Sequence, residues 1–90
     1  MRLDKYLKVS RIIKRRTVAN EACAGGRVTL NGKVAKPGAE VHVGDTMTIR
    51  FGDKLGQYEI LSIQETVRKG DANAMYRVIQ EDAAVAAERG

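Results

Sequence analysis

The sequence predicts an α+β domain in which two short N-terminal helices pack on a small antiparallel sheet of about five strands. Three observations predict this class. Apolar residues follow helical spacing at the start of the chain, the spacing changes to strand-like alternation after Gly25-Gly26, and Asn31-Gly32 marks a tight hairpin turn. Ninety residues hold one hydrophobic core. We therefore expect one domain over residues 1–80, followed by a short tail over 81–90.

The first helix is predicted over residues 3–10. Leu3, Leu7 and Ser10 fall on one stripe at helical spacing, which is typical of an amphipathic helix with one packed face. Asp4 and the basic residues of this segment are expected to point elsewhere. The segment therefore predicts a short helix that buries a narrow apolar stripe.

The second helix is predicted to have Thr17 as its N-cap and to end at Gly25-Gly26. Threonine is a favoured N-cap residue, and glycine favours the left-handed conformation that follows many helices. The predicted buried face consists of small residues, which let two helices approach closely: Val18, Ala19, Ala22 and Cys23.

The rest of the chain alternates apolar and polar residues, as strands do. Residues 27–35 predict a hairpin whose turn, Asn31-Gly32, requires positive φ at both positions. Residues 52–56 predict a turn and 68–73 an exposed loop. The tail is either one more helical turn or a frayed end. Three further strands complete an antiparallel meander, at 46–51, 57–67 and 74–80.

Positive charge is concentrated in the first third of the chain. Residues 1–27 contain eight Lys and Arg against two acids, a net charge of +6, whereas residues 28–90 contain eight against nine, a net charge of −1. A one-sided cluster of this kind creates a field that attracts polyanions. The charge pattern therefore indicates a nucleic-acid partner.

Catalytic chemistry has no visible place in the sequence. His42, the one histidine, is predicted to be an exposed strand residue without a catalytic partner, and Cys23 is predicted to pack inertly in the core. Glycine-rich phosphate loops and zinc-ligand spacings are missing from the sequence. We expect no enzyme activity, no catalytic residue, no metal site and no cofactor.

The sequence also predicts where the protein is found. One cysteine cannot form an internal disulfide, which agrees with a reducing compartment. The chain has neither the apolar stretch of a secretory signal nor an apolar run near the ~20 residues of a membrane span. We expect a cytoplasmic protein without a membrane partner.

Arginines are expected to gather at one end of the helix pair. Arg2 lies at the start of the first helix, and Arg15 and Arg16 lie just before the second, while Arg27 follows it. The planar guanidinium suits phosphate recognition. Tyr6 is the one candidate for base stacking on this surface and is expected to be half-buried. Structured RNA, recognised by shape and backbone, is therefore the predicted ligand.

The segments RLDKYL and KRRTVANEACAGGRVTLNGKVAKPGAEVHVGDTMTI resemble the S4 RNA-binding domain, whose fold is also called alpha-L. The resemblance covers residues 2–50 almost continuously. Two departures from the usual pattern are Arg15, where many members have serine, and Thr29-Leu30 in the first strand. Neither departure removes a charge.

The resemblance implies that the helix pair and the first hairpin bind ribosomal RNA or tRNA. It matches Arg2, Lys5, Arg16 and Arg27 to RNA-facing positions of the family, with Arg15 and Asn31 as weaker matches. Together with the basic cluster, it gives the following candidate RNA-binding residues: Arg2, Lys5, Lys8, Arg11, Arg15, Arg16, Arg27 and Asn31.

The chain is similar, more narrowly, to stand-alone S4 proteins of ribosome-associated quality control. That similarity implies a monomer that binds the 50S subunit carrying obstructed peptidyl-tRNA and contacts both 23S rRNA and the P-site tRNA. Its protein partner would be an RqcH-type (NEMF family) alanine-tailing factor. One alternative is a general rRNA-binding or ribosome-assembly S4 module. Another is a protein–protein adaptor that uses the sheet edge or the acidic C-terminal region.

Overall fold

The computed structural model describes residues 1–65 and 72–82, and it confirms the α+β architecture. Two α-helices are followed by a five-stranded antiparallel sheet, with a short 3-10 helix at Ala72–Met75 before the last strand. The predicted loop over 68–73 and the tail over 81–90 lie largely outside the described residues. The helices and strands are α1 Leu3–Val9, α2 Arg16–Ala24, β1 Val28–Leu30, β2 Lys33–Val34, β3 Thr46–Phe51, β4 Lys54–Ile60 and β5 Tyr76–Glu81.

The strand order is β2-β1-β3-β4-β5, so the first hairpin joins the sheet through β1. Val28 of β1 lies opposite Ile49 of β3, and Met47 of β3 lies opposite Tyr58 of β4. These residues are fully buried, which places the inner face of the sheet against the helices. The predicted meander is confirmed for β3, β4 and β5.

The boundaries of β4 and β5 differ from the prediction. β4 begins at Lys54 because Gly52 (φ +64°) and Asp53 make the turn without further residues. It ends at Ile60 because the N–H groups of the next two residues both donate to the carbonyl of Met75, which breaks the regular ladder. β5 begins only at Tyr76, after the 3-10 helix.

The core is mainly aliphatic, with three tyrosines. Tyr6 is completely buried rather than half-buried, and its hydroxyl donates a 2.7 Å hydrogen bond to the carbonyl oxygen of Met75. Leu3, Leu7 and Ser10 are all buried, as the stripe predicts. Because Tyr6 fills the space between α1 and the chain before β5, it is not available to stack on a base.

α2 begins two residues earlier than predicted. Arg15 is the N-cap, in extended conformation, and its carbonyl already accepts the N–H of Ala19, so Thr17 lies inside the helix. Val18 was expected to be buried but is 45% exposed, because α2 packs through Ala19, Ala22 and Cys23. The predicted end of the helix is confirmed: Gly25 is the C-cap and Gly26 has φ +76°.

The first hairpin follows the sequence closely. Asn31 and Gly32 have φ values of +53° and +85°, which confirms the predicted turn conformation. Among the described residues, no helix has the length and apolar character needed to cross a membrane.

Candidate nucleic-acid interface

A buried carboxylate, Asp4, organises the basic end of the helix pair. Arg2 donates to it twice, from Nε to Oδ1 at 3.2 Å and from an Nη2 atom to Oδ2 at 3.3 Å, and the Nη2 atom of Arg16 lies 3.6 Å from Oδ1. Asp4 is only 2% exposed, so the expectation that it points away from the packed face is wrong. A helix of seven residues can bury this side chain because arginines from two segments cover it.

Two further donors hold the same carboxylate. The backbone N–H of Lys5 donates to Oδ1 at 2.8 Å, and the side-chain amide of Asn20 on α2 donates to Oδ2 at 3.4 Å. Burial raises the pKa of Asp4, but these hydrogen bonds and the charges of Arg16 and Arg2 outweigh burial, so the pKa lies below its ordinary value. Asp4 is therefore ionised at neutral pH and ties α1 to α2.

Arg2 and Arg16, with Asp4 between them, are called here the anchored arginine pair. Their side chains remain 55% and 49% exposed, and the three charges sum to +1. A guanidinium has five N–H donors, of which Asp4 occupies few. Each side chain therefore keeps donors facing solvent while Asp4 restrains its orientation, through two hydrogen bonds for Arg2 and an ion pair for Arg16. The prediction that Arg2 and Arg16 project from the same end of the helix pair is confirmed, and Arg15 lies there too as the N-cap of α2.

The other basic residues of α1 and of the segment after it are placed differently. Lys5 forms an ion pair with Glu65, beyond β4, and this hydrogen bond and charge lower the pKa of Glu65. Lys8 and Arg11 are exposed at the C-terminal end of α1, where the N–H of Arg11 donates to the carbonyl of Lys8 at 3.0 Å. Neither makes an ion pair within residues 1–65 and 72–82. They extend the basic surface along α1.

The last two candidates lie beyond α2. Arg27 is exposed directly after the C-terminal end of the helix. Asn31 is engaged within the fold: its amide donates to Asp45 at 3.0 Å, and its carbonyl oxygen accepts the N–H of Thr46 at 3.0 Å. Asn31 therefore connects the first hairpin to the start of β3. The structure does not place it beside the anchored arginine pair.

Sequence reasoning missed two parts of this surface. Asn20 was not among the candidate residues, although its amide reaches Asp4. A groove of about 830 Å³ lies beside Arg2. It is lined by Asn20 of α2, by strand β2 and by residues 36–39. The Arg-Leu-Asp motif at residues 2–4 was the one signal in the sequence that pointed to Asp4. It does not show on which face of α1 the carboxylate lies, because that depends on contacts with α2.

The reactive side chains show no cooperative arrangement in the part of the chain that the structure describes. Cys23 is buried, and burial together with the negative charge of Asp4 raises its pKa to about 11, so the thiol is protonated at neutral pH. His42 is exposed as predicted but lies in a loop rather than a strand, with Nδ1 3.8 Å from Asp45. Within that part, no three His, Cys, Asp or Glu side chains are grouped to hold a metal ion.

A helix pair with fixed arginines at one end, packed on a five-stranded sheet, defines a small RNA-binding domain. Comparison with known proteins agrees, because the S4 domain profile matches residues 1–47. The chain belongs to the S4 domain family.

Close relatives narrow the comparison. The chain is 57% identical over 82 residues to the "RQC P-site tRNA stabilizing factor" of Halalkalibacterium halodurans, covering 91% of this chain and 93% of the relative. It is 52% identical over 82 residues to the protein of the same name from Listeria monocytogenes, covering 91% and 89%. The fold is also similar to the trimeric structure of Vibrio cholerae Heat Shock Protein 15, with a TM-score of 0.79, 34% identity, and coverage of 99% of this chain and 88% of that one.

Proposed function

We propose that this protein is a non-enzymatic factor of ribosome-associated quality control. It binds the 50S subunit carrying an obstructed peptidyl-tRNA, stabilises the P-site tRNA and supports C-terminal alanine tailing of the stalled nascent chain. The observation that carries the proposal is the anchored arginine pair, found in a chain 57% identical to a relative named for P-site tRNA stabilisation. The partners are 23S rRNA, peptidyl-tRNA and an RqcH-type (NEMF family) tailing factor.

The anchored arginine pair suits the phosphate backbone of folded RNA. Guanidinium groups meet phosphate oxygens through paired N–H donors, and such charge-assisted hydrogen bonds contribute ~1.5–3 kcal/mol each. Because Asp4 already restrains Arg2 and Arg16, these side chains lose less freedom on binding than unrestrained arginines would. The pair therefore supplies orientation as well as charge.

Basic residues outside the pair support contact with two RNAs at once. Lys8 and Arg11 extend the positive surface along α1, and Arg27 carries it past the end of α2. A P-site factor on the large subunit must touch ribosomal RNA and tRNA together. The spread of positive charge beyond one point on the surface agrees with that requirement.

The test is binding to purified large subunits with and without peptidyl-tRNA. With five or six phosphate contacts, we expect log affinity to fall with log salt concentration at a slope of roughly −4 to −5. We also expect occupied subunits to be bound more tightly than empty ones. Arg16→Gln should weaken binding, whereas Arg77→Gln, which removes one exposed charge from β5, should leave it nearly unchanged.

Each result separates the candidate functions. Binding that is equal for occupied and empty subunits would favour a general rRNA-binding or assembly module, the role that the S4 domain match supports by itself. A salt slope near zero with no effect of Arg16→Gln would contradict both RNA-binding functions and favour a protein–protein adaptor.

A further inference from the structure

We propose that Arg27 and Arg50 form a second phosphate-binding site, at the opposite end of α2 from the anchored arginine pair. This site takes a phosphodiester group of RNA. This inference rests on the proposed function in one respect, which is that the proposed function identifies the ligand as RNA. Arg50 is absent from the candidates that the sequence indicated.

Strand register places the two arginines side by side. Val28 of β1 lies opposite Ile49 of β3, so the next pair along the antiparallel ladder is Arg27 and Arg50. The N–H of Arg50 donates to the carbonyl of Arg27 at 2.9 Å, which confirms that the chains still run together at this point. Both residues are exposed. The fold therefore brings two positive charges together on neighbouring segments.

No carboxylate of the described residues neutralises these charges. The ion pairs within residues 1–65 and 72–82 involve neither arginine, and Glu21 and Asp53, the acids close to them in the chain, form none. Like charges opposite each other on paired strands are destabilising. A fold that keeps such a pair without a carboxylate partner is suited to an external anion.

The space beside the two arginines is concave. A recess of about 450 Å³ is lined by both of them together with Gly25, Gly26 and Gly52. Because glycines line it, no side chain other than the arginines projects into the recess. A Cβ atom on Gly25 would lie 3.8 Å from Nε of Arg27, so the Arg27 side chain lies against the last turn of α2. The partial negative charge of that helix end favours a guanidinium there.

The second site is distinct from the anchored arginine pair. α2 has nine residues, which at the rise of an α-helix separates its two ends by ~14 Å. One phosphate group cannot contact both ends. The two sites would therefore hold different phosphates, on one RNA or on two.

The experiment compares Arg50→Gln and Arg27→Gln with Lys54→Gln as the matched control. Lys54 is exposed, lies in the same β3-β4 hairpin and is paired with Phe51, one register position from Arg50, so it projects from the other face of the sheet. The probes are empty large subunits, large subunits carrying peptidyl-tRNA, and free tRNA. We expect each arginine variant to weaken binding to at least one probe by about tenfold or more, and Lys54→Gln by less than about threefold.

A shared phosphate predicts a particular pattern in the double variants. Arg27→Gln combined with Arg50→Gln should lose little more affinity than either change does separately, because the contacts serve one group. Arg50→Gln combined with Arg16→Gln should multiply the two losses, because those sites are separate. Melting temperatures should not fall in Arg50→Gln, since the change removes one of two like charges at neighbouring positions, just before β1 and in β3.

The outcomes for the two proposals are independent. If Arg50→Gln behaves like Lys54→Gln on all three probes, the second site is overturned, whatever Arg16→Gln does. If Arg50→Gln weakens binding but peptidyl-tRNA has no effect on the affinity of the unmodified protein, the second site is supported and the proposed P-site function is wrong. Loss on tRNA assigns the site to tRNA, and loss on empty subunits assigns it to ribosomal RNA.

Discussion

The two ends of α2 carry similar charge in different settings. At the N-terminal end, Arg2 and Arg16 converge on the buried carboxylate of Asp4, whereas at the C-terminal end Arg27 and Arg50 have no acidic partner among the described residues. The first arrangement fixes the guanidiniums and gives up one positive charge to do so. The second keeps the full charge but leaves the side chains less constrained.

The difference separates two contributions to RNA binding. Side chains that are already held lose little conformational freedom on binding, so the anchored arginine pair is suited to orientation and specificity of placement. Unpaired charges contribute mainly to long-range attraction and to salt-dependent affinity. An arginine variant at either end of α2 removes the same single charge. We therefore expect variants at the two ends to differ mainly in the free energy of unfolding.

The largest expected effect is on the free energy of unfolding and comes from a core residue of α1. Leu7 is completely buried in α1, and Leu7→Ala should lower the free energy of unfolding by ~2–5 kcal/mol through lost burial and a residual cavity. Chemical denaturation measures this loss. At a temperature where the variant is still folded, its RNA affinity should match that of the unmodified protein. A variant that is stable but binds poorly would show that the Leu7 side chain itself is part of the interface.

Asp4→Asn removes the anchor while preserving the shape of the side chain. Asp4 accepts hydrogen bonds from Arg2, Lys5 and Asn20, and the loss of its charge should reduce the free energy of unfolding by ~1–3 kcal/mol. The net charge rises by one, yet we expect weaker binding to large subunits because Arg2 and Arg16 are no longer oriented. Tighter binding would mean that charge rather than orientation determines affinity at this end.

The same carboxylate predicts the pH dependence of stability. The pKa of Asp4 in the folded protein lies below its ordinary value of 3.8, so the unfolded chain takes up a proton first as the pH falls. The stabilisation is fully present above that ordinary value and is lost as the pH falls through the folded-state pKa. The free energy of unfolding, measured by chemical denaturation at several acidic pH values, should vary less with pH in Asp4→Asn than in the unmodified protein. An identical pH dependence in both proteins would assign the acid sensitivity to other groups.

The smallest expected effect on stability is at the C-terminal end of α2, where Arg27 and Arg50 lie. Arg50→Gln should raise the free energy of unfolding by ~0.2–1 kcal/mol at low salt, because it removes one of two like charges placed opposite each other. The gain should shrink as salt screens the repulsion. A loss of stability that does not depend on salt would indicate that Arg50 packs favourably against the sheet and would weaken the comparison.

The sequence was informative where structure depends on neighbouring residues. The turn at Asn31-Gly32, the glycine end of α2 and the whole of β3 could be predicted because local conformational preference and alternation determine them. The limits of β4 could not, since they depend on where the segment around Met75 returns to the sheet.

The basic surface shows the same division. The concentration of arginine could be read from the sequence, as could the end of the helix pair where Arg2 and Arg16 meet. The burial of Asp4 could not, because it depends on Asn20 and Arg16 in the next helix. The pairing of Arg27 with Arg50 required knowledge that β3 joins β1 rather than β2.

The most direct test of the central claim is cryo-electron microscopy of large subunits captured with the protein from cells. We expect the helix pair to face RNA, with the guanidiniums of Arg2 and Arg16 within hydrogen-bonding distance of phosphate oxygens while Asp4 still holds them. A map in which the helix pair points to solvent and neither Arg2 nor Arg16 contacts RNA would contradict the account.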